Sequence, residues 1–106
     1  MQTLEKLKRL EQYILLDQTA IDPVFDMTLE KLLHREFNRV ATLKARLVKQ
    51  LQTFEKQYHL KSQEFYPRYE NGELGDEIDF MEWASTIEMV NNINQRLTVL
   101  NIEPVS

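Results

Sequence analysis

Leu4, Leu7, Leu10 and Ile14, with Leu15 beside them, recur at three- and four-residue steps, while Lys6, Lys8, Arg9 and Glu11 fall between them. That period of about 3.6 residues predicts an amphipathic helix from Thr3 to Leu16. Thr3 is its expected N-cap, although Lys6 stands where a full capping box needs Glu or Gln. After a short connection, Asp22-Pro23 reads as a second start: the carboxylate accepts from free amides and the proline fits the first helical turn. Asp26 and Thr28 are alternative caps. From there Leu29, Leu33, Phe37, Val40, Leu47, Leu51, Phe54 and Tyr58 keep to one helical face, with no glycine or further proline before Pro67. A helix from Pro23 to His59 is expected, about 55 Å long at about 1.5 Å per residue.

The pattern then breaks up. Ser62 reads as the N-cap of a short helix over 63–70, with Pro67 kinking it or limiting it to a turn or two. Asn71-Gly72 is a helix stop, Gly72 supplying a left-handed position. Gly75-Asp76 opens a last helix from Glu77 to Leu100, with Asp76 as N-cap, Glu77 and Asp79 at the positive helix end, and Pro104 closing the chain. Its inward face is Phe80, Ala84, Ile87, Val90, Ile93, Leu97 and Leu100, with Trp83 beside it.

These elements predict a single all-α domain. Residues 1–22 form an N-terminal helix and turn, 23–60 a long helix, 61–76 a short helix and glycine-containing elbow, and 77–101 the C-terminal helix. Short connections make the long and last helices an antiparallel hairpin, with helix 1 folded back on the start of helix 2. So thin an arrangement buries little surface. Apolar side chains are therefore expected to stay exposed on helix 2 or helix 4 and to be covered by a second copy, as a homodimer, or by another protein.

Composition narrows the function classes. The 106 residues include no cysteine, which removes disulfides, thiol nucleophiles and thiolate metal sites. No apolar run approaches the ~20 residues of a membrane span, and the polar amino terminus lacks a signal-peptide core, so a cytoplasmic protein is expected. The net charge of −4 hides an asymmetry: residues 1–30 carry −3, residues 31–61 carry +6 and residues 62–106 carry −7. Either the basic helix 2 and the acidic C-terminal part attract each other across the hairpin, or one surface is left for an oppositely charged partner.

Candidate chemistry is sparse. Lys31, Arg35, Arg39, Lys44, Arg46, Lys49, Lys56 and Lys61 spread over many turns without forming one stripe, and no recognition helix is apparent, so nucleic-acid binding is disfavoured. Glu70, Glu73, Asp76, Asp79 and Glu82 lack the calcium-loop pattern, and His34 and His59 lie too far apart to share an ion. No metal, cofactor or catalytic residue is assigned, and no activated nucleophile or phosphate-cradling loop is present. A non-enzymatic interaction protein is the expectation.

The informative segment is 65–83. Phe65, Tyr69 and Phe80 read as a small aromatic core pinning helix 3 to helix 4. Tyr66 and Trp83 read as either part of that core or the rim of a partner patch, because each joins an apolar ring to a polar handle. The runs Phe65-Tyr66-Pro67-Arg68-Tyr69-Glu70, Gly72-Glu73-Leu74-Gly75-Asp76 and Asp79-Phe80-Met81-Glu82-Trp83, with Leu29-Glu30-Lys31-Leu32-Leu33 upstream, resemble a signature of small helical prokaryotic proteins associated with toxin-antitoxin loci. The likeness extends over most of residues 4–100, and its specific part is 65–83. Pro67 departs from the pattern, where a helix-compatible residue is usual, so an irregular third helix is expected. The resemblance implies an antitoxin that binds and neutralises a partner toxin. On that reading Tyr66, Glu73, Asp76, Glu77, Asp79, Glu82 and Trp83 are the candidate contact residues. A helical adaptor dimer and a small nucleic-acid-binding regulator are the alternatives.

Overall fold

Four α-helices and one 3-10 turn make up the computed structural model, which describes residues 1–103: α1 Thr3–Leu16, the turn Gln18–Ala20, α2 Pro23–Tyr58, α3 Ser62–Glu70 and α4 Ile78–Leu100. No strand occurs among the described residues. Pro104, expected to close the chain, lies outside them. The chain divides into two units, Met1–Leu33 and His34–Ser106, the division falling inside α2.

In the first unit the helix bounds follow the apolar periodicity, but the caps differ. Gln2, not Thr3, is the N-cap of α1, and no side chain bonds to its free amides. Asp17 ends α1 and accepts from the Thr19 amide at 3.0 Å, which holds the 3-10 turn. Asp22 caps α2 as expected, its Oδ1 accepting from the Phe25 amide at 2.8 Å with Pro23 as the first helical residue. No residue of α1 is buried, and Leu4, Leu7 and Leu10 on its apolar face are 61%, 49% and 43% exposed.

The second unit is held by two apolar clusters. Val40 and Leu47 of α2 bury against Ile93 of α4, with Leu43, Val90, Leu97 and Leu100 around them. Further along, Phe65, Trp83 and Ala84 form a second core, flanked by Leu51, Phe54 and Tyr58 of α2 and by Phe80 and Ile87 of α4. The long helix thus packs on the last one through the faces that the 3.6-residue period marks. Ile78, Met81, Met89 and Val99 of α4 remain exposed.

Candidate functional site

Residues 59–79 turn the chain from α2 into α4, and each bend has an identifiable cause. His59 takes the left-handed conformation (φ 52°) that ends α2, and the Leu60 amide reaches back to the Glu55 carbonyl at 3.3 Å. Ser62 is not the N-cap of α3: the helix begins on it and Lys61 precedes it without a side-chain cap bond. Instead the Glu55 carboxylate accepts from the Ser62 amide at 2.8 Å, so α2 caps α3. The Ser62 hydroxyl is occupied elsewhere, accepting from the Trp83 indole N–H at 2.9 Å.

Pro67 is tolerated inside α3, a helix of only nine residues. Its missing N–H removes one bond from a helix already anchored at both ends. At the C-terminus the Glu73 amide bonds the Arg68 carbonyl and the Gly72 amide the Tyr69 carbonyl, both at 3.0 Å, with Gly72 at φ +76°. This is a Schellman closure, as the Asn71-Gly72 pair predicts. Gly75 (φ +82°) makes the second bend. Asp76 does not cap α4; the helix starts at Ile78 after Glu77, with no side-chain cap bond. Two carboxylates close to a helix start are favourable through the helix dipole without a specific bond, which is why spacing alone misassigns the cap.

The seven candidate contact residues separate into three groups by burial. Trp83 is fully buried. Its ring lies 3.8 Å from Phe65, centroid to centroid, with the planes 5° apart, and it also stacks on Phe54 at 5.6 Å and Tyr58 at 5.9 Å. It belongs to the core and not to the rim of a partner patch. A ring of this size gains most when wholly removed from water, and the Ser62 hydroxyl satisfies its one polar atom. Tyr66 and Asp79 are half-buried and tied internally: Tyr66 donates to Glu88 at 2.8 Å, and Tyr58 donates to Asp79 at 2.5 Å. Donation to a carboxylate, burial and nearby acidic charge push both Tyr58 and Tyr66 up to about 12 from an ordinary 10.0.

Glu73, Asp76, Glu77 and Glu82 are exposed. The only ion pair among the described residues is Glu36–Arg39 within α2, at 3.5 Å. The basic side chains of α2 therefore form no ion pair with the acids of the elbow and α4. A depression of about 560 Å³ is lined by Gln52, Glu55, Lys56, His59, Leu60, Lys61 and Glu64, and includes none of these four acids. Glu82 borders a separate depression of about 430 Å³, lined also by Gln50, Ile78, Met81, Ser85 and Thr86. No cluster of three or more His, Asp or Glu side chains arranged for a metal occurs among the described residues, and no described helix is long and apolar enough to cross a membrane.

Ser62, Glu55 and Tyr58 are the site residues that sequence reasoning missed. Glu55 carries a usable signal, being an acid close to the negative end of a helix, where a base is favoured. No family profile, curated protein or solved structure matches the chain.

Proposed function

We propose that this chain is a non-enzymatic protein-binding module, an antitoxin-like cytoplasmic protein of a prokaryote that acts as a homodimer and neutralises a partner toxin. The observation that carries the reading is the set of four exposed carboxylates, Glu73, Asp76, Glu77 and Glu82, with no ionic partner on a tightly braced elbow. Surface carboxylates of one sign orient and accelerate the approach of a basic protein surface. A toxin that acts on nucleic acid carries such a surface, and acids seated in it exclude the substrate. The aromatic core beneath holds the elbow in place, so little ordering cost attends binding.

Co-expression with the product of the adjacent gene is the test. The proposal expects the two to co-purify and the growth defect caused by the neighbour to be relieved; separate elution with no relief contradicts it. A second reading, a helical adaptor that dimerises and has no toxin, is favoured by the exposed leucines of α1. It expects dimerisation without any neighbouring toxin.

A further inference from the structure

In linear order the cations of α2 look scattered, but the helix gathers most of them onto one face. Within the His34–Ser106 unit, steps of four and three residues in alternation meet Arg35, Arg39, Thr42, Arg46, Lys49, Thr53 and Lys56. All seven are exposed. At about 100° per residue they stay within roughly 100° of arc, on the far side of the helix from Val40 and Leu47, which bury against α4. Only Asn38 and Gln57 share that arc. It therefore holds five cations, no carboxylate and no apolar or aromatic side chain. Lys44 is half-buried on the core side, and Lys61 lies beyond the end of α2.

The fold makes little use of this face. Arg39 pairs with Glu36 at 3.5 Å while remaining 75% exposed, an arrangement that contributes little to stability. Arg35, Arg46, Lys49 and Lys56 form no ion pair among the described residues. Glu55 and Glu64 border a depression with Lys56, but the Glu55 carboxylate is engaged by the Ser62 amide. The Thr42 and Thr53 hydroxyls donate to the Asn38 and Lys49 carbonyls of their own helix, at 2.9 and 3.0 Å.

A partner for the face has to be anionic and hydrated along about 32 Å, the rise from Arg35 to Lys56 at about 1.5 Å per residue. Protein interfaces are anchored by apolar or aromatic side chains, and a helix lying in a membrane surface needs an apolar face; this arc has neither. Single-stranded nucleic acid is held by stacking its bases on aromatic rings, which are also absent. The backbone of a duplex needs only cations and polar donors, and three of the five cations are arginines, whose guanidinium matches phosphate in a bidentate fork. The major groove of B-form DNA admits a helix, whereas that of A-form RNA is closed to side chains. We infer that the exposed face of α2 from Arg35 to Lys56 docks on double-stranded DNA along the major groove, its cations on the flanking phosphates. Phosphate contacts make the binding independent of base sequence and steeply salt-dependent. The elbow acids take no part in it, so it stands or falls separately from the toxin reading.

Fluorescence anisotropy tests it: a labelled mixed-sequence DNA duplex is titrated with the full chain at salt concentrations from about 50 to 200 mM. Five neutralised phosphates give an expected slope of about −4 to −5 in log affinity against log salt. Arg46→Gln with Lys49→Gln should flatten that slope by about 2. Arg68→Gln with Lys8→Gln, the same change of charge at exposed positions off the face, should leave it unaltered. Near-ultraviolet circular dichroism of buried Trp83 should match the parent in both variants. A parent that fails to bind at about 50 mM salt, or whose slope is shallower than about −2, overturns the proposal without reference to any variant. Equal flattening in the two variants overturns the assignment to this face. Unlabelled duplex DNA should displace the probe at least about tenfold more effectively than single-stranded DNA, duplex RNA, polyglutamate or phosphatidylserine vesicles at equal charge, a preference of about 1.4 kcal/mol. Equal displacement by any of these overturns the choice of B-form DNA.

Discussion

The indole of Trp83 lies nearly parallel to the Phe65 ring, with centroids 3.8 Å apart and both residues fully buried. This is closer than the roughly 4.5–7 Å of most aromatic pairs, and it joins α4 to α3 at the point where the chain reverses. Trp83→Ala removes the largest buried side chain of the molecule and should cost about 3–5 kcal/mol, read as a lower urea midpoint by far-ultraviolet circular dichroism. A loss below about 1 kcal/mol would show that the pair does not hold the elbow.

Ser62 and Glu55 make a linked pair of bonds, one to the Trp83 indole and one to the amide that opens α3. Ser62→Ala strands a buried N–H and should cost about 1–3 kcal/mol. Glu55→Ala removes the cap supplied from α2 and should cost about 0.5–2 kcal/mol. Urea titrations of the two single variants check both. A neutral Ser62→Ala would mean that the indole N–H has another acceptor.

Gly72 and His59 share a left-handed backbone and differ in side chain, with φ at +76° and 52°. A Cβ on Gly72 would meet nothing within 4 Å, so Gly72→Ala tests backbone strain alone and should destabilise by about 1–2 kcal/mol. His59→Gly should move stability the other way by about 1 kcal/mol. Thermal and urea unfolding of the two variants should shift in opposite directions; a shared direction contradicts this account of the bends.

Alkaline pH should loosen the fold in a defined window. The fold favours the neutral phenols of Tyr58 and Tyr66, raised to about 12 from 10.0, so their contribution is complete below pH 10 and is lost as pH rises through 12. Urea midpoints measured across that range should fall. Replacing both tyrosines with phenylalanine should lower stability at neutral pH and reduce the fall between pH 10 and 12. A variant with the same alkaline loss as the parent would assign the effect to other groups.

Much of the backbone plan is legible in the apolar spacing. The bounds of α1 and α2 and the inward positions Ala84 and Ile93 follow from it, because a strong 3.6-residue period has few competing readings. Thr3, Ser62 and Asp76 look like caps in the sequence but are not, because a capping residue type near a helix start does not decide which side chain bonds. Ser62 shows why: its partner Trp83 lies 21 residues away, and only the packed structure brings them together. Trp83 itself was ambiguous between core and rim, since an indole suits either place. The lack of a core in residues 1–33 was hidden for a different reason. An amphipathic stripe states that a face needs covering, and says nothing about what covers it.

The most direct measurement of the central claim is a binding titration of the co-purifying neighbour protein against the parent chain and against a variant carrying Glu73→Lys, Asp76→Lys, Glu77→Lys and Glu82→Lys. The account predicts tight, salt-sensitive binding by the parent. In the variant, affinity should fall by at least about tenfold, an effect of about 1.4 kcal/mol, while the Trp83 spectrum stays unchanged. Equal affinity for both chains would contradict it.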